Sequence, residues 1–170
     1  FYGTFSFAYD ANQLDVVGPW GPLIILAPVI GGMGVVFLVK NFAPEAKGHG
    51  VPEVMYAIYH KAGRIRPVVA AVKSLASALS IGSGASVGRE GPIIQIGASF
   101  GSTLGQLCKL AIWQRNTLIA AGAGAGIAAT FNTPVGGVMF AVELMLPEVS
   151  ARTFLPVVMA TGTAAYLGQL

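Results

Sequence analysis

An arginine and a glutamate stand side by side in Gly88-Arg89-Glu90-Gly91-Pro92, between two apolar runs. For a carboxylate in such a setting, low dielectric favours the neutral form, while a helix N-terminus favours the charged form. Ionisable groups at membrane depth are expensive and are usually kept for function. Pro92 suits the first turn of a helix, where no N–H is required, and glycine on either side lets the backbone come close to something. Glu90 is therefore read as mounted at the start of a helix that begins inside a bilayer. Gly48-His49-Gly50-Val51-Pro52-Glu53 repeats the arrangement, again with a proline in a first helical turn. The Val54–Tyr59 stretch that follows is apolar but too short to span. It reads either as a re-entrant half-helix whose N-terminal N–H groups face an anion, or as an amphipathic surface helix with Gly48–Gly50 as its turn.

The elements that must carry these groups follow from composition. Of 170 residues, 10% are charged and 54% hydrophobic, and the mean hydropathy is +0.69; a soluble domain carries roughly 25% charge. No charge occurs in Val16–Val39, Gly91–Cys108, Thr117–Val142 or Thr153–Leu170. Each run approaches the ~20 apolar residues that span a bilayer. The chain is read as all-α and polytopic, beginning without Met as an excerpt of something longer. Asp10 and Asp15 flank the first run, and Lys40, Lys47, Lys61, Arg64 and Arg66 form a basic cluster after it. The positive-inside rule makes that cluster cytoplasmic, so Lys109 and Arg115 would fall outside and Glu148 and Arg152 inside.

Two crossings are interrupted. Pro67–Gly105 contains the Gly/Ser run Ser80–Gly88, and Thr117–Leu146 contains Phe131-Asn132-Thr133-Pro134-Val135-Gly136-Gly137. Such residues break helices, and broken helices within a membrane commonly build ion sites from their half-helix ends. Gly122, Gly124 and Gly126 are read instead as close-packing positions.

Several chemistries fall away. Gly124-Ala125-Gly126-Ile127-Ala128-Ala129 fits a dinucleotide fingerprint, but it follows a helical stretch rather than a strand. His49 and His60 are too far apart for one helical face, so no metal or cofactor is expected. The single Cys108 permits no intrachain disulfide. A net charge of +3 does not suggest nucleic acid. Ser83 and Ser86 lie near Glu90 with no histidine in that segment, which leaves no nucleophile–base pair for an intramembrane enzyme. A small-solute transporter with similar broken helices stays as a remote alternative.

Three motifs in order, Gly48-His49-Gly50-Val51-Pro52, Gly88-Arg89-Glu90-Gly91-Pro92 and Gly126-x-x-Ala-x-Phe131-Asn132-x-Pro134, strongly resemble the CLC family of chloride channels and proton/chloride exchangers. The resemblance covers residues 1–170 as the N-terminal one of two inverted halves, with broken and re-entrant helices meeting near mid-membrane. It implies a homodimeric protein of the cell membrane that passes chloride or another small anion. In that resemblance Glu90 is the gating glutamate, which swings aside when protonated. Arg89, Glu90 and Gly91 would line the outer anion site, and Gly48, His49, Gly50 and Val51 the inner end. Residues 135–146 and 154–167 match dimer-interface helices, with lipid-facing surface as the alternative. Two positions depart from the family pattern. His49 stands where most chloride transporters have serine, which puts anion preference in question. Leu144 stands where exchangers commonly carry a second, proton-relaying glutamate, beside Glu143. Leucine cannot titrate, so Leu144 tilts the reading toward passive conduction, with proton-coupled antiport as the alternative.

Overall fold

The computed structural model describes residues 26–169, and within them every regular element is helical. Asp10, Asp15, the first part of the Val16–Val39 run and Leu170 lie outside the described residues. Helix α1 spans Leu26–Phe42, α2 Val51–His60, α3 Pro67–Gly82, α4 Glu90–Leu107, α5 Ile112–Phe131, α6 Pro134–Phe140 and α7 Ala151–Leu167. A short 3-10 turn, Pro44–Ala46, precedes α2, and a π turn, Ala141–Met145, follows α6.

The helix starts and stops fall where local chemistry puts them. Pro52, Pro67, Pro92 and Pro134 all sit in first turns, where a missing N–H costs nothing. Helix α5 ends as Asn132 takes a left-handed conformation with φ 52° and ψ 40°, which asparagine tolerates better than most residues. Thr133 then caps α6, its hydroxyl accepting from the Gly136 N–H at 3.2 Å. Both expected interruptions are therefore real. Pro67–Gly105 divides into α3 and α4, and the later run divides into α5, α6 and the π turn. No helix among the described residues is long and apolar enough to cross a membrane.

Helix α5 is the centre of the fold, packed against α4, α6 and α7. Ile119, Ala120, Ala123 and Ala128 are fully buried on it. The approach to α4 is set by glycines: a Cβ on Gly97 would land on the Gly122 carbonyl, and one on Gly122 would land on the Gly97 carbonyl. Gly124 and Gly137 meet in the same reciprocal way between α5 and α6, and Gly126 lies over the Ile93 carbonyl. The three α5 glycines thus serve close packing, as expected of small residues between membrane helices.

The expected separation of Arg115 from the Lys61–Arg66 cluster is not met. Arg115 is buried, and its guanidinium donates to the Ala62 carbonyl at 3.1 Å. The reason is the course of α2. Its N-terminus lies against that of α4, through Gly50 and Gly91. Its 10 residues then rise about 15 Å, which brings the 61–66 loop level with Ser102 and Gln106 near the far end of α4. The charge rule counts basic residues along the chain, and it does not detect a half-helix that carries some of them to the opposite end.

Ser102 anchors that loop. Fully buried, it donates to the Gly63 carbonyl at 2.7 Å and accepts from the Ile65 N–H at 2.9 Å. Gln106 adds a bond to Ser102 Oγ at 2.9 Å and one to the Ile65 carbonyl at 3.0 Å. Ser102→Ala leaves a buried N–H and a buried carbonyl without this partner, a cost of about 1–3 kcal/mol. The expected result is a lower melting temperature of the detergent-solubilised full-length protein.

Candidate functional site at two helix N-termini

The two glycine motifs meet backbone to backbone. A Cβ on Gly91 would fall on the His49 carbonyl oxygen, and a Cβ on Gly50 would fall on the Gly91 carbonyl. Gly50 also holds φ at 100°, a conformation that L side chains rarely adopt. Only glycine at both places allows the N-termini of α2 and α4 to come this close. Each helix start carries about half a positive charge on its unpaired N–H groups, so their convergence builds a place that favours an anion.

Beside this junction opens a cleft of about 820 Å³ between α1, α3 and the starts of α2 and α4. Gly48, His49, Val51, Glu90 and Gly91 all line it. Glu90 is exposed at the first position of α4, with its carboxylate folded back over Gly88. Lys40, Lys47 and Lys73 line the same cleft, where Glu90 is the single carboxylate. The wall is therefore electropositive apart from Glu90, and the polar groups Ser77, Ser80 and Ser86 complete it. Such a surface attracts anions.

Not every expected residue stands at the cleft in the expected way. Gly50 is buried, and its N–H is taken by Glu53 Oε2 at 2.8 Å, a capping bond reaching back from the first turn of α2. Arg89 precedes α4 as an exposed residue and is not among those lining the cleft. Glu143 and Leu144 lie on the π turn, both exposed and away from the cleft. There the Leu146 N–H reaches back to the Ala141 carbonyl at 3.0 Å, and π turns of this kind often occur at functional places. In the 135–146 and 154–167 segments, Val135, Met139, Leu155 and Met159 are exposed apolar side chains.

Two residues overlooked in the sequence hold the site together. Gln95, 2% exposed on α4, donates to the Glu45 carbonyl at 3.2 Å. Lys73, 7% exposed on α3, donates to the carbonyls of Ala46 at 2.9 Å and Gly48 at 2.8 Å. Lys73 had a legible signal, because it is the one charge within the otherwise apolar Pro67–Gly82 stretch.

A family model described as voltage gated chloride channel matches residues 31–170. The H(+)/Cl(-) exchange transporter ClcA of Citrobacter koseri is 39% identical over 134 residues, which make up 76% of this chain and 27% of that protein. Its counterpart in Salmonella arizonae is 38% identical over the same length. The chain thus spans about a quarter of the length of these relatives. Among solved structures, the crystal structure of a slow cyanobacterial Cl-/H+ antiporter superposes with a TM-score of 0.77 at 31% identity. That match covers 92% of this chain and 38% of the antiporter.

Proposed function

Because the chain belongs to the voltage-gated chloride channel family, we propose that it forms the N-terminal half of a proton-coupled chloride exchanger gated by Glu90. The observation that carries this reading is the convergence of the α2 and α4 N-termini at His49 and Gly91, beside a lysine-lined cleft whose single carboxylate is Glu90. The anion would be held by the backbone at the start of α2 and α4, with Gly48, His49 and Val51 on one side and Glu90 and Gly91 on the other. Chloride and the Glu90 carboxylate would then exclude one another, so that moving one requires moving or protonating the other.

The lean toward passive conduction, drawn from Leu144, gives way here. The relatives matched are named as H(+)/Cl(-) exchange transporters, and the structural neighbour is titled an antiporter. Leu144 keeps passive conduction as the second reading, since a leucine carries no proton. The protein would be an integral component of the cell membrane. The exposed apolar faces of α6 and α7 support assembly of two copies through residues 135–146 and 154–167.

The test is the reversal potential of the full-length protein in liposomes under crossed chloride and proton gradients. Exchange places it between the chloride and proton equilibrium values. A pure chloride value overturns exchange in favour of a channel, and absence of chloride permeation overturns anion transport in favour of another small solute.

A further inference from the structure

A loop at a helix N-terminus offers its N–H groups to an anion when its own carbonyl oxygens point elsewhere. Each peptide carries both groups, and a carbonyl facing a dehydrated anion repels it. In the 44–50 loop that problem is severe, because the loop is short, partly buried and forms one wall of the cleft.

We propose that Lys73 is the positioning residue of the anion site, drawing the Ala46 and Gly48 carbonyls away from the anion and so turning the His49 segment toward it. This rests on the anion-transport reading above and adds a residue to it. Three observations carry the inference. The Lys73 ammonium donates to both carbonyls, at 2.9 Å and 2.8 Å, so two of its three N–H donors are committed to this one loop. It is nine-tenths buried yet lines the same cleft as His49 and Glu90. It works against a partner on the other side of the loop: Glu53 takes the Gly50 N–H at 2.8 Å, and its carboxylate packs on Gly48. A cation on α3 holding carbonyls and a carboxylate on α2 holding an N–H fix the peptide planes between them. Around Lys73, Glu53 and Glu90 are the acids and Lys40, Lys47 and His49 the bases of the loop and cleft. An ammonium buried to this degree is screened far less than Lys40 or Lys47, which are largely exposed.

Lys73→Met in the full-length protein is the direct test, read by calorimetric titration with chloride and by chloride flux from liposomes. The chloride Kd is expected to rise about tenfold or more, the range for loss of charge-assisted bonds. Lys73→Arg, which keeps charge and donors, is expected to stay within about threefold of wild type. A merely structural lysine would lower the yield of folded protein but leave the Kd of what folds unchanged, and that result overturns the proposal. Combination with His49→Ser adds an independent readout. Residues acting on one loop give non-additive changes in Kd, whereas strictly additive changes count against the clamp. If Lys73→Met does not give monodisperse protein, Lys73→Gln, neutral but still able to hydrogen-bond, is judged by the same criterion. A wild-type protein that binds no chloride overturns the transport reading and the proposal together. Wild-type binding with an unaffected Lys73→Met overturns the proposal alone.

Discussion

Replacing Glu90 by Gln is expected to abolish proton coupling while chloride still crosses, so that the reversal potential moves to the pure chloride value. The argument starts from position. Glu90 opens α4, lines the cleft as its single carboxylate, and is held back over Gly88 rather than tied to any cation by an ion pair. Among the described residues the ion pair found is Lys61 with Glu45, at 3.8 Å. A carboxylate without such a partner is able to move. Glutamine has nearly the same shape and no charge, so it resembles the protonated side chain while removing both the repulsion of anions and the capacity to carry a proton. Chloride affinity at the junction should rise, by about tenfold if one full charge contact several ångströms away is removed in a partly shielded site. Flux through liposomes should persist and lose its dependence on pH. Unchanged coupling and unchanged pH response in Glu90→Gln would remove Glu90 from the mechanism, whatever the family relationship.

Much of this arrangement could be read from residue types, and the parts that could not share a physical cause. Prolines and glycines announce helix starts and breaks locally, so the ends of α3, α4, α5 and α6 follow from Pro67, Gly88–Pro92 and Asn132–Pro134 without tertiary information. The packing role of Gly122, Gly124 and Gly126 is legible for the same reason, because small residues at these spacings serve close helix approach. The contact between Gly50 and Gly91 is different: it joins backbones 41 positions apart, and no local pattern fixes it. Lys73 has a legible cost, as a lone charge in an apolar helix, but its partners are carbonyl oxygens, which sequence does not distinguish from any others. Lys61, Arg64 and Arg66 fall on the same side as Arg115, against the charge count, because that count does not register a half-length helix running alongside α4. The π turn at Ala141–Met145 packs against α5 and α2, contacts that no local pattern announces. Leu144 is an exposed leucine on the π turn, a side chain with no titratable group. The inference from it to passive conduction failed to outweigh relatives named as exchangers, because one position constrains a single route for the proton and not the existence of coupling.

Gly91→Ala is expected to remove chloride binding at the junction, with a rise in Kd of tenfold or more and a fall in flux to match, on the order of the 1–3 kcal/mol that overpacking typically costs. The new methyl group would fall on the His49 carbonyl oxygen. Neither side can yield cheaply: Gly91 is in the first turn of α4, and the His49 peptide is held between Gly48, whose carbonyl Lys73 takes, and Gly50, whose N–H Glu53 takes. The strain must be relieved by separating the α2 and α4 N-termini, which removes the convergence of N–H groups that attracts the anion. The comparison that isolates this effect is Gly32→Ala. Gly32 lies inside α1 with nothing within 4 Å of an added Cβ, and alanine there improves helix propensity by about 1 kcal/mol or less. Its chloride affinity and flux should match wild type, with equal or higher thermal stability. Ser102→Ala supplies the opposite control, since it weakens the fold at the far end of α2 and α4 without touching the junction. A Gly91→Ala protein that binds chloride like wild type would show that the anion does not depend on the close approach of these two helix starts, and the site would have to be sought elsewhere along the cleft.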